Sequence, residues 1–329
     1  MSHSDRPGVA FYCVCNDRYF LGAVGMLNSL RLMGHAEPVY MLDCGLTPAQ
    51  RELLAPHVTL VPAPGDGAPQ LLKTVAPLRH PAEVMVLIDV DMILTRPLTE
   101  LADAAWGGRV VAFRNNLDRF VPEWGELLDL GPVRRQPYLS SGLVVMGGST
   151  ATDVLRVMDD RQTRVDFDLT YVRRGVVDYP FLLLEQDVLN PILASRVETE
   201  RIVALEKRLA PDPPFPGLRL VDEEALRCAY EDGAEPYVLH FLAVRKPWLD
   251  PMHRDIYALL LARLLVGSRL AVRVPQKAVP LRMRSGLLAG AERARVDVRD
   301  RLGWLVRNHL PESLMARIDT RRRSSRAGA

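Results

Sequence analysis

The segment 84–94, VMVLIDVDMIL, constrains the fold of this chain more than any other stretch. Apart from Asp89 and Asp91 it is entirely apolar, which is typical of a strand that is covered on both faces. Sheets with both faces covered are mostly parallel, because the helices that connect parallel strands lie against them. An unpaired carboxylate is costly in such a place, so the two aspartates need a partner.

Strands and helices alternate along the first part of the chain. Strands are predicted at residues 9–16, 38–44, 58–61, 84–90 and 109–113, and helices at 19–33, 48–54, 71–78 and 98–106. This alternation, with short connections, predicts an α/β fold built on a Rossmann-like, mostly parallel, doubly wound sheet. Beyond residue 116 the alternation is lost, and only strands at 142–146 and 237–241 and a helix at 182–193 are predicted. Ligands are expected beyond the carboxyl ends of the strands.

Charge divides the chain into two parts. The formal net charge is +2, yet the segment 282–326 holds twelve arginines and five acidic residues. We therefore predict one domain over residues 1–250 and a helical, arginine-rich extension over residues 251–329, with a disordered end. Val298, Leu302 and Leu305 have helical spacing, which predicts an amphipathic helix. This helix could bind an anionic lipid surface, or it could pack within the chain or against a second copy of the chain. No nucleic-acid partner is predicted, because no nucleic-acid-binding motif accompanies the arginines.

The cysteines and the apolar segments predict a cytoplasmic protein whose thiols are reduced. The protein would be either dissolved in the cytoplasm or bound peripherally at the inner face of the membrane. The four cysteines match neither a zinc site nor a thioredoxin motif. The N-terminal MSHSDRPG lacks the features of a signal peptide. The apolar stretch 257–272 is too short to span a bilayer and is interrupted by Arg263 and Arg269.

Asp89 and Asp91 are candidate metal ligands. Residues two apart on a strand point to the same side, so the carboxylates are expected to converge just past the strand end, where a divalent cation would offset their repulsion. The alternatives are an acidic pair that caps the next helix or pairs with Arg96. A haloacid-dehalogenase site is disfavoured because its Asp-x-Asp follows the first strand, and the sequence contains neither a P-loop nor G-x-G-x-x-G.

A second candidate element is HFLAVRKPW, at 240–248. His240 ends an apolar strand and Lys246 follows it, restrained by Pro247 and Trp248. A core histidine is the structural alternative. An imidazole together with two carboxylates suits Mn²⁺ better than Mg²⁺, and a lysine is suited to bind a phosphate as a point charge.

Several segments resemble family 8 retaining glycosyltransferases of GT-A fold, which include glycogenin and bacterial lipooligosaccharide galactosyltransferases. HFLAVRKPW is similar to the family's HFxGxxKPW signature. The other similar segments occur in the family's order: CVCNDRYFLGAVGMLNSL (13–30), LIDVDMIL (87–94), YLSSGLVVM (138–146) and LEQDVLN (184–190). Lys73 lies at about the spacing of a family lysine that contacts phosphate or ribose.

The resemblance implies a nucleotide-diphosphosugar donor, usually UDP-linked, and hexosyl transfer with retention, and it assigns a role to individual residues. Mn²⁺ or Mg²⁺ would be held by Asp89, Asp91 and His240. The catalytic residues would be Gln186, which would lie beside the anomeric carbon, and Glu185 or Asp187, which would bind the sugar hydroxyls. The donor-binding residues would be Cys13, Cys15, Asn16, Tyr19, Lys73, Asp89, Val90, Ser140 and Lys246.

Three departures from the family pattern concern the sugar side: Ser140 replaces an asparagine, Ala243 a glycine and Glu185 an aspartate. They leave the identity of the sugar and the acceptor open. The alternatives are a non-catalytic sugar-nucleotide-binding module and a sugar-nucleotide pyrophosphorylase. The latter should carry a glycine-rich basic loop after the first strand, which the sequence lacks.

Overall fold

A computed structural model describes residues 8–65, 67–242, 246–249, 255–268 and 270–285, with a few single positions up to 298. The chain divides into two units. The first comprises Met1–Val244 and Asp255–Val279, and the second Arg245–Arg254 and Pro280–Ala329. The first unit therefore includes a segment that follows the predicted boundary at residue 250. Most of the basic extension, including Leu302, Leu305 and the end from Arg321, lies outside the described residues.

A seven-stranded sheet forms the centre of the first unit. Its strands are β1 (Val9–Cys15), β2 (Val39–Asp43), β3 (Thr59–Pro62), β4 (Val84–Ile88), β6 (Val110–Arg114), β7 (Leu139–Gly147) and β8 (Ile202–Leu205), in the order β3-β2-β1-β4-β7-β6-β8. Only β7 runs antiparallel to its neighbours, so the predicted mostly parallel sheet is confirmed. Four shorter strands form two separate pairs: β5 (Met92–Leu94) with β11 (Val238–His240), and β9 (Arg219–Asp222) with β10 (Arg227–Ala229).

The helices of this unit are α1 (Phe20–Leu32), α2 (Pro48–Leu54), α3 (Val75–Arg79), α4 (Thr99–Ala105), α5 (Trp124–Leu127), α6 (Gly148–Arg161), α7 (Glu185–Arg196) and α8 (Ile256–Val266); α9 (Leu281–Arg284) belongs to the second unit. The predicted start of α2 is confirmed, because Thr47 and Gln50 form a capping box and Pro48 is the first helical residue. None of the helices in the described part of the chain is both long and apolar enough to cross a membrane.

The 84–94 segment is two strands rather than one. β4 ends at Ile88, the chain turns through Asp89 to Asp91, and β5 leaves the main sheet to pair with β11. The turn is closed by a hydrogen bond from the Met92 amide to the Asp89 carbonyl, 3.2 Å. The aspartates thus lie at a break between two strands, just past the carboxyl end of β4.

Several elements were not predicted from the sequence. α6, β8 and the β9–β10 pair all follow residue 116, where the alternation is no longer visible. β8 is only half-buried and β9 is largely exposed. Such short strands at a sheet edge bury too little apolar surface to leave a clear pattern.

α8 packs against α1 within the first unit. The Asn28 side chain donates to the carbonyl of Leu264 at 2.8 Å and accepts from the amide of Val272 at 2.8 Å. Gly25 allows the close approach, because a Cβ there would lie 2.5 Å from the Leu261 side chain. These contacts connect the segment 255–279 to the sheet domain.

Candidate active site

The candidate site lies at the topological switch of the sheet. β1 has β2 on one side and β4 on the other, and all three are parallel. Asn16 follows β1 and Asp89 follows β4, so both lie at carboxyl ends next to the point where the strand order reverses. This is where doubly wound sheets bind ligands.

Asp89, Asp91 and His240 form the candidate metal cluster. One potential ligand atom from each side chain lies within 4.8 Å of the other two. The Nε2 atom of His240 is 3.4 Å from Asp91 Oδ1 and 3.8 Å from Asp89 Oδ2. Asp91 and His240 are buried. Two carboxylates and an imidazole that converge on one point are a donor set that fits Mn²⁺.

The backbone brings these three side chains together through two pairings. β11 runs antiparallel to β5 with His240 opposite Met92, so the histidine is placed beside the turn that carries the aspartates. Gly142 of β7 provides space for the imidazole, because a Cβ at this position would lie 2.7 Å from His240 Cε1. The Gly142 carbonyl also accepts a hydrogen bond from the Asp89 amide, at 2.8 Å. The geometry of the cluster therefore depends on a residue without a side chain.

The two structural alternatives for the aspartates are not observed. Arg96 pairs with Glu100 at 2.8 Å and stacks on the ring of Tyr237. The following helix, α4, begins after Leu98 and has no side-chain cap. The cation that approaches Asp89 is Lys73.

Lys73 joins the metal cluster to the start of α7. Its Nζ lies 2.6 Å from Asp89 Oδ1 and 2.8 Å from Glu185 Oε1. Burial lowers the pKa of Lys73, but the charges of Asp89 and Glu185 outweigh this effect and raise it overall. Burial raises the pKa of Asp89, and Lys73 partly counters that shift. The ammonium thus stays charged between the two carboxylates.

The start of α7 presents Glu185 and Gln186 to β7. The Ser141 hydroxyl donates to Glu185 Oε1 at 3.0 Å, and the Ser141 amide donates to Gln186 Oε1 at 3.1 Å. The preceding residue, Leu184, is buried and has φ 56° and ψ −130°. This conformation costs a leucine about 1–3 kcal/mol, and such strain persists only where the surrounding packing enforces it.

Asp187 is fully buried and held by three donors, which we call the Asp187 anchor. They are Arg119 Nε at 2.8 Å, the Tyr138 hydroxyl at 2.6 Å and the Leu183 amide at 2.7 Å. Burial raises the pKa of Asp187, and the hydrogen bonds from Arg119 and Tyr138 oppose the shift. The anchor fastens the first turn of α7 to the segments before it.

The predicted nucleotide-binding residues lie at the end of β1 and just beyond it. Cys13 and Cys15 are buried within β1, whereas Asn16 and Tyr19 are half-buried. The Asn16 side chain accepts from the Tyr19 amide at 3.2 Å. Burial raises the pKa of the Cys13 thiol, and the charge of Asp89 adds to this shift, which places the thiol near the metal cluster.

The other predicted donor-binding residues are buried. Val90 lies between the two aspartates, and Ser140 lies in β7, where its hydroxyl accepts from the Gly142 amide at 3.4 Å. Lys246 is also buried, but it belongs to the second unit. The four cysteines, all described, form no disulfide.

The sequence matches no model of a known protein family and no curated protein. The structure, in contrast, resembles solved glycosyltransferases. Galactosyltransferase LgtC, solved with donor and acceptor sugar analogues, is 15% identical over 82% of this chain and 98% of its own, with a TM-score of 0.50. For the bifunctional glycosyltransferase WbbM the identity is 13%, over 80% of this chain and half of WbbM, and the TM-score is 0.52. The apo form of GlyE from Streptococcus pneumoniae TIGR4 is 14% identical over 79% of this chain and 61% of its own, with a TM-score of 0.51.

The chain has the GT-A fold of these glycosyltransferases. The GT-A fold implied by the sequence resemblance is therefore confirmed, although at 13 to 15% identity the likeness establishes the fold alone.

Sequence reasoning missed several residues that shape the site of this GT-A domain. Arg119, Ser141, Gly142 and Asp212 all contact a predicted site residue. Ser141 and Gly142 lie within the segment YLSSGLVVM that carries the family resemblance, which was a signal for them, whereas Arg119 and Asp212 reach the site from other segments through tertiary contacts.

Proposed function

We propose that this protein is a metal-dependent retaining glycosyltransferase that moves a hexose from a nucleotide-diphosphosugar, UDP-linked, to an acceptor. The observation that carries the proposal is the convergence of Asp89, Asp91 and His240 at the carboxyl edge of a GT-A sheet, with Lys73 connecting Asp89 to Glu185. A diphosphate is stabilised by cations, and a sugar is held by polar groups next to the diphosphate. The metal cluster with Lys73 and the polar residues at the start of α7 are neighbours at this edge.

The chemistry follows from charge. Cleavage of a glycosyl–phosphate bond leaves negative charge on the departing diphosphate, and a Mn²⁺ ion held by the metal cluster would supply Lewis-acid stabilisation of that charge. Lys73 contacts the cluster through Asp89, and Lys246 of the second unit is the further cation assigned by the resemblance. Both would act as point charges on phosphate oxygens.

The sugar side is assigned to the start of α7. Gln186 is proposed to lie beside the anomeric carbon and Glu185 to hold sugar hydroxyls, while Asp187 fixes the first turn of the helix. An amide is a poor nucleophile, which favours attack of the acceptor on the same face from which the diphosphate leaves. One of the solved LgtC structures carries a glutamine-to-glutamate change in the active site of that protein. This supports a glutamine at the corresponding place here.

The nucleotide is assigned to the end of β1. Asn16 and Tyr19 are half-buried and would contact the base and ribose, with Cys13 and Cys15 forming the buried floor. Val90 and Ser140 would line the path between the ribose and the sugar. The neighbouring position of Asp89 supports this order of base, diphosphate and sugar along the edge.

The test is a screen of nucleotide-sugars for hydrolysis without acceptor, in Mn²⁺ and in EDTA. We expect release of UDP from one UDP-sugar in Mn²⁺, with the activity lost in EDTA. Binding without release of UDP would identify a non-catalytic module. Formation of a UDP-sugar and pyrophosphate from UTP and a sugar 1-phosphate would identify a pyrophosphorylase. Retention is checked by NMR of the anomeric configuration of the first product.

A further inference from the structure

The strand that carries His240 lies between two neighbours. On one side it pairs with β5, which directly follows Asp91. On the other side it pairs with the segment 209–211: the Tyr237 amide donates to the Leu209 carbonyl at 2.8 Å and the His240 amide donates to the Pro211 carbonyl at 3.0 Å. Asp212 follows that segment directly. The backbone therefore places a carboxylate on each side of the imidazole.

The two ring nitrogens of His240 face these carboxylates separately. Nε2 is 3.4 Å from Asp91 Oδ1, on the side of the metal cluster. Nδ1 is 3.8 Å from Asp212 Oδ1, on the opposite side. Gly142 lies against the ring at Cε1, between the two nitrogens. The ring is thus enclosed along its edge, with Asp212 facing Nδ1 and the two aspartates of the metal cluster facing Nε2.

Asp212 is itself held in place. Its Oδ2 lies 2.7 Å from Lys207 Nζ, and both side chains are less than one-fifth exposed. Its Oδ1 is buried and has no hydrogen-bond partner among the described residues. A buried acceptor without a donor costs about 1–3 kcal/mol. The atom with the unmet hydrogen-bonding capacity is the one beside His240 Nδ1.

We propose that Asp212 is a positioning residue that holds the proton of His240 on Nδ1 and thereby directs the Nε2 lone pair at the divalent cation. This inference rests on the metal role in the proposed function. Histidine ligands almost always donate their other N–H to a carboxylate, a carbonyl or a water, and that partner fixes both tautomer and ring orientation. A shift of about 1 Å would bring Nδ1 and Oδ1 to hydrogen-bond distance. Lys207 contacts the other carboxylate oxygen, Oδ2, so the ion pair leaves Oδ1 available to Nδ1.

The first experiment uses metal-free wild-type protein and the ¹⁵N chemical shifts of the His240 ring, identified by its loss in His240→Gln. We expect the proton on Nδ1 in the wild type and a shift towards the Nε2-protonated form in Asp212→Ala. Because Asp89 and Asp91 face Nε2 when no metal is bound, a second proton on Nε2 is compatible with the proposal, whereas a wild-type ring protonated on Nε2 alone would overturn it. This measurement needs no metal and, in the wild type, no destabilising change.

The second experiment measures Mn²⁺ binding from the EPR signal of the free ion. We expect Asp212→Ala to raise the Kd about 10–100-fold and Asp212→Glu to restore part of the affinity. The matched control is Lys207→Met, which breaks the same ion pair but keeps the carboxylate, and it should change the Kd much less. Equal effects of Asp212→Ala and Lys207→Met would mean that the ion pair only stabilises the fold, which contradicts the proposal.

The two measurements separate this inference from the proposed function. If the wild type binds no Mn²⁺, the metal role fails, whereas the tautomer in the metal-free protein still decides whether Asp212 orients His240. If Mn²⁺ binds and neither the tautomer nor the Kd depends on Asp212, only the positioning role is lost.

Discussion

Two carboxylate sites lie near the start of α7, and they differ in the groups that surround their carboxylates. In the Asp187 anchor, three protein donors surround one carboxylate at 2.6 to 2.8 Å. In the metal cluster, Asp89 and Asp91 converge on each other and on His240, and a single lysine joins Asp89 to the other side of the site. The anchor is complete without a ligand. The metal cluster concentrates negative charge that a cation would neutralise.

The difference shows why residue type alone does not identify a ligand site. Burial raises the pKa of both Asp89 and Asp187. What separates them is the geometry of their donors, because a carboxylate saturated by N–H and O–H groups has no lone pair directed at a ligand. From this difference we expect Asp187 to stabilise the fold and Asp89 and Asp91 to bind a cation. Each of the following changes tests that assignment.

The largest effect is expected from Asp91→Asn and His240→Ala. Either change removes a ligand from the metal cluster, so donor turnover should fall about 10²–10³-fold or more while the protein stays folded. Turnover is measured as UDP release, and folding by circular dichroism. Asp232→Asn, at an exposed ion pair with Arg208, is the control and should keep full activity. Full activity of Asp91→Asn, or of the wild type in EDTA, would rule out the metal role.

A large effect on stability, rather than on metal binding, is expected from Asp187→Ala. Loss of this carboxylate leaves Arg119 and Tyr138 without their partner, so the free energy of unfolding should fall by about 3–5 kcal/mol. The measurement is urea unfolding, with Mn²⁺ affinity determined on the folded variant. Unchanged stability together with lost Mn²⁺ binding would show that Asp187 belongs with the metal cluster instead.

An intermediate effect is expected from Gly142→Ala, because the added Cβ would displace the His240 ring. The Kd for Mn²⁺ should rise about 10–100-fold. The matched control is Gly25→Ala, which creates a similar overlap with Leu261 far along the chain from the cluster. The control should lose about 1–3 kcal/mol of stability and keep its Mn²⁺ affinity. Similar Kd values for the two variants would contradict the role given to Gly142.

The smallest effect is expected from Lys73→Met. Removal of this ammonium should raise the KM for the donor about 10-fold, since a charge-assisted contact to phosphate is lost. Mn²⁺ should bind at least as tightly, because Asp89 loses a competing cation. Steady-state kinetics and Mn²⁺ titration check the two parts. Weaker Mn²⁺ binding with an unchanged KM would instead make Lys73 a support of the metal cluster.

Local patterns in the sequence were sufficient for six of the seven strands of the main sheet and for part of the site. The apolar runs of β1, β2 and β4 and the capped start of α2 are visible without tertiary information, and the HFLAVRKPW segment marks His240. The same patterns did not reveal that Asp212 and Gly142 contact His240. Asp212 lies there because β11 pairs with the segment 209–211, and Gly142 because β7 pairs with β4 while β11 pairs with β5. Pairing between strands that are not adjacent in the sequence leaves no periodic signal in a single sequence.

By itself, the sequence determined that buried strands alternate with helices and that two aspartates interrupt one of the apolar runs. Those features depend on hydrophobic periodicity and on the cost of burying charge, which act locally along the chain. The family resemblance of the sequence also implied that Asp89, Asp91 and His240 share one site. Only the tertiary structure decided that this run divides into β4 and β5, that Asp212 lies beside His240, and that Asp187 is held by three donors of its own. Whether a buried carboxylate is satisfied depends on groups brought to it by distant parts of the chain, and folding alone sets those distances.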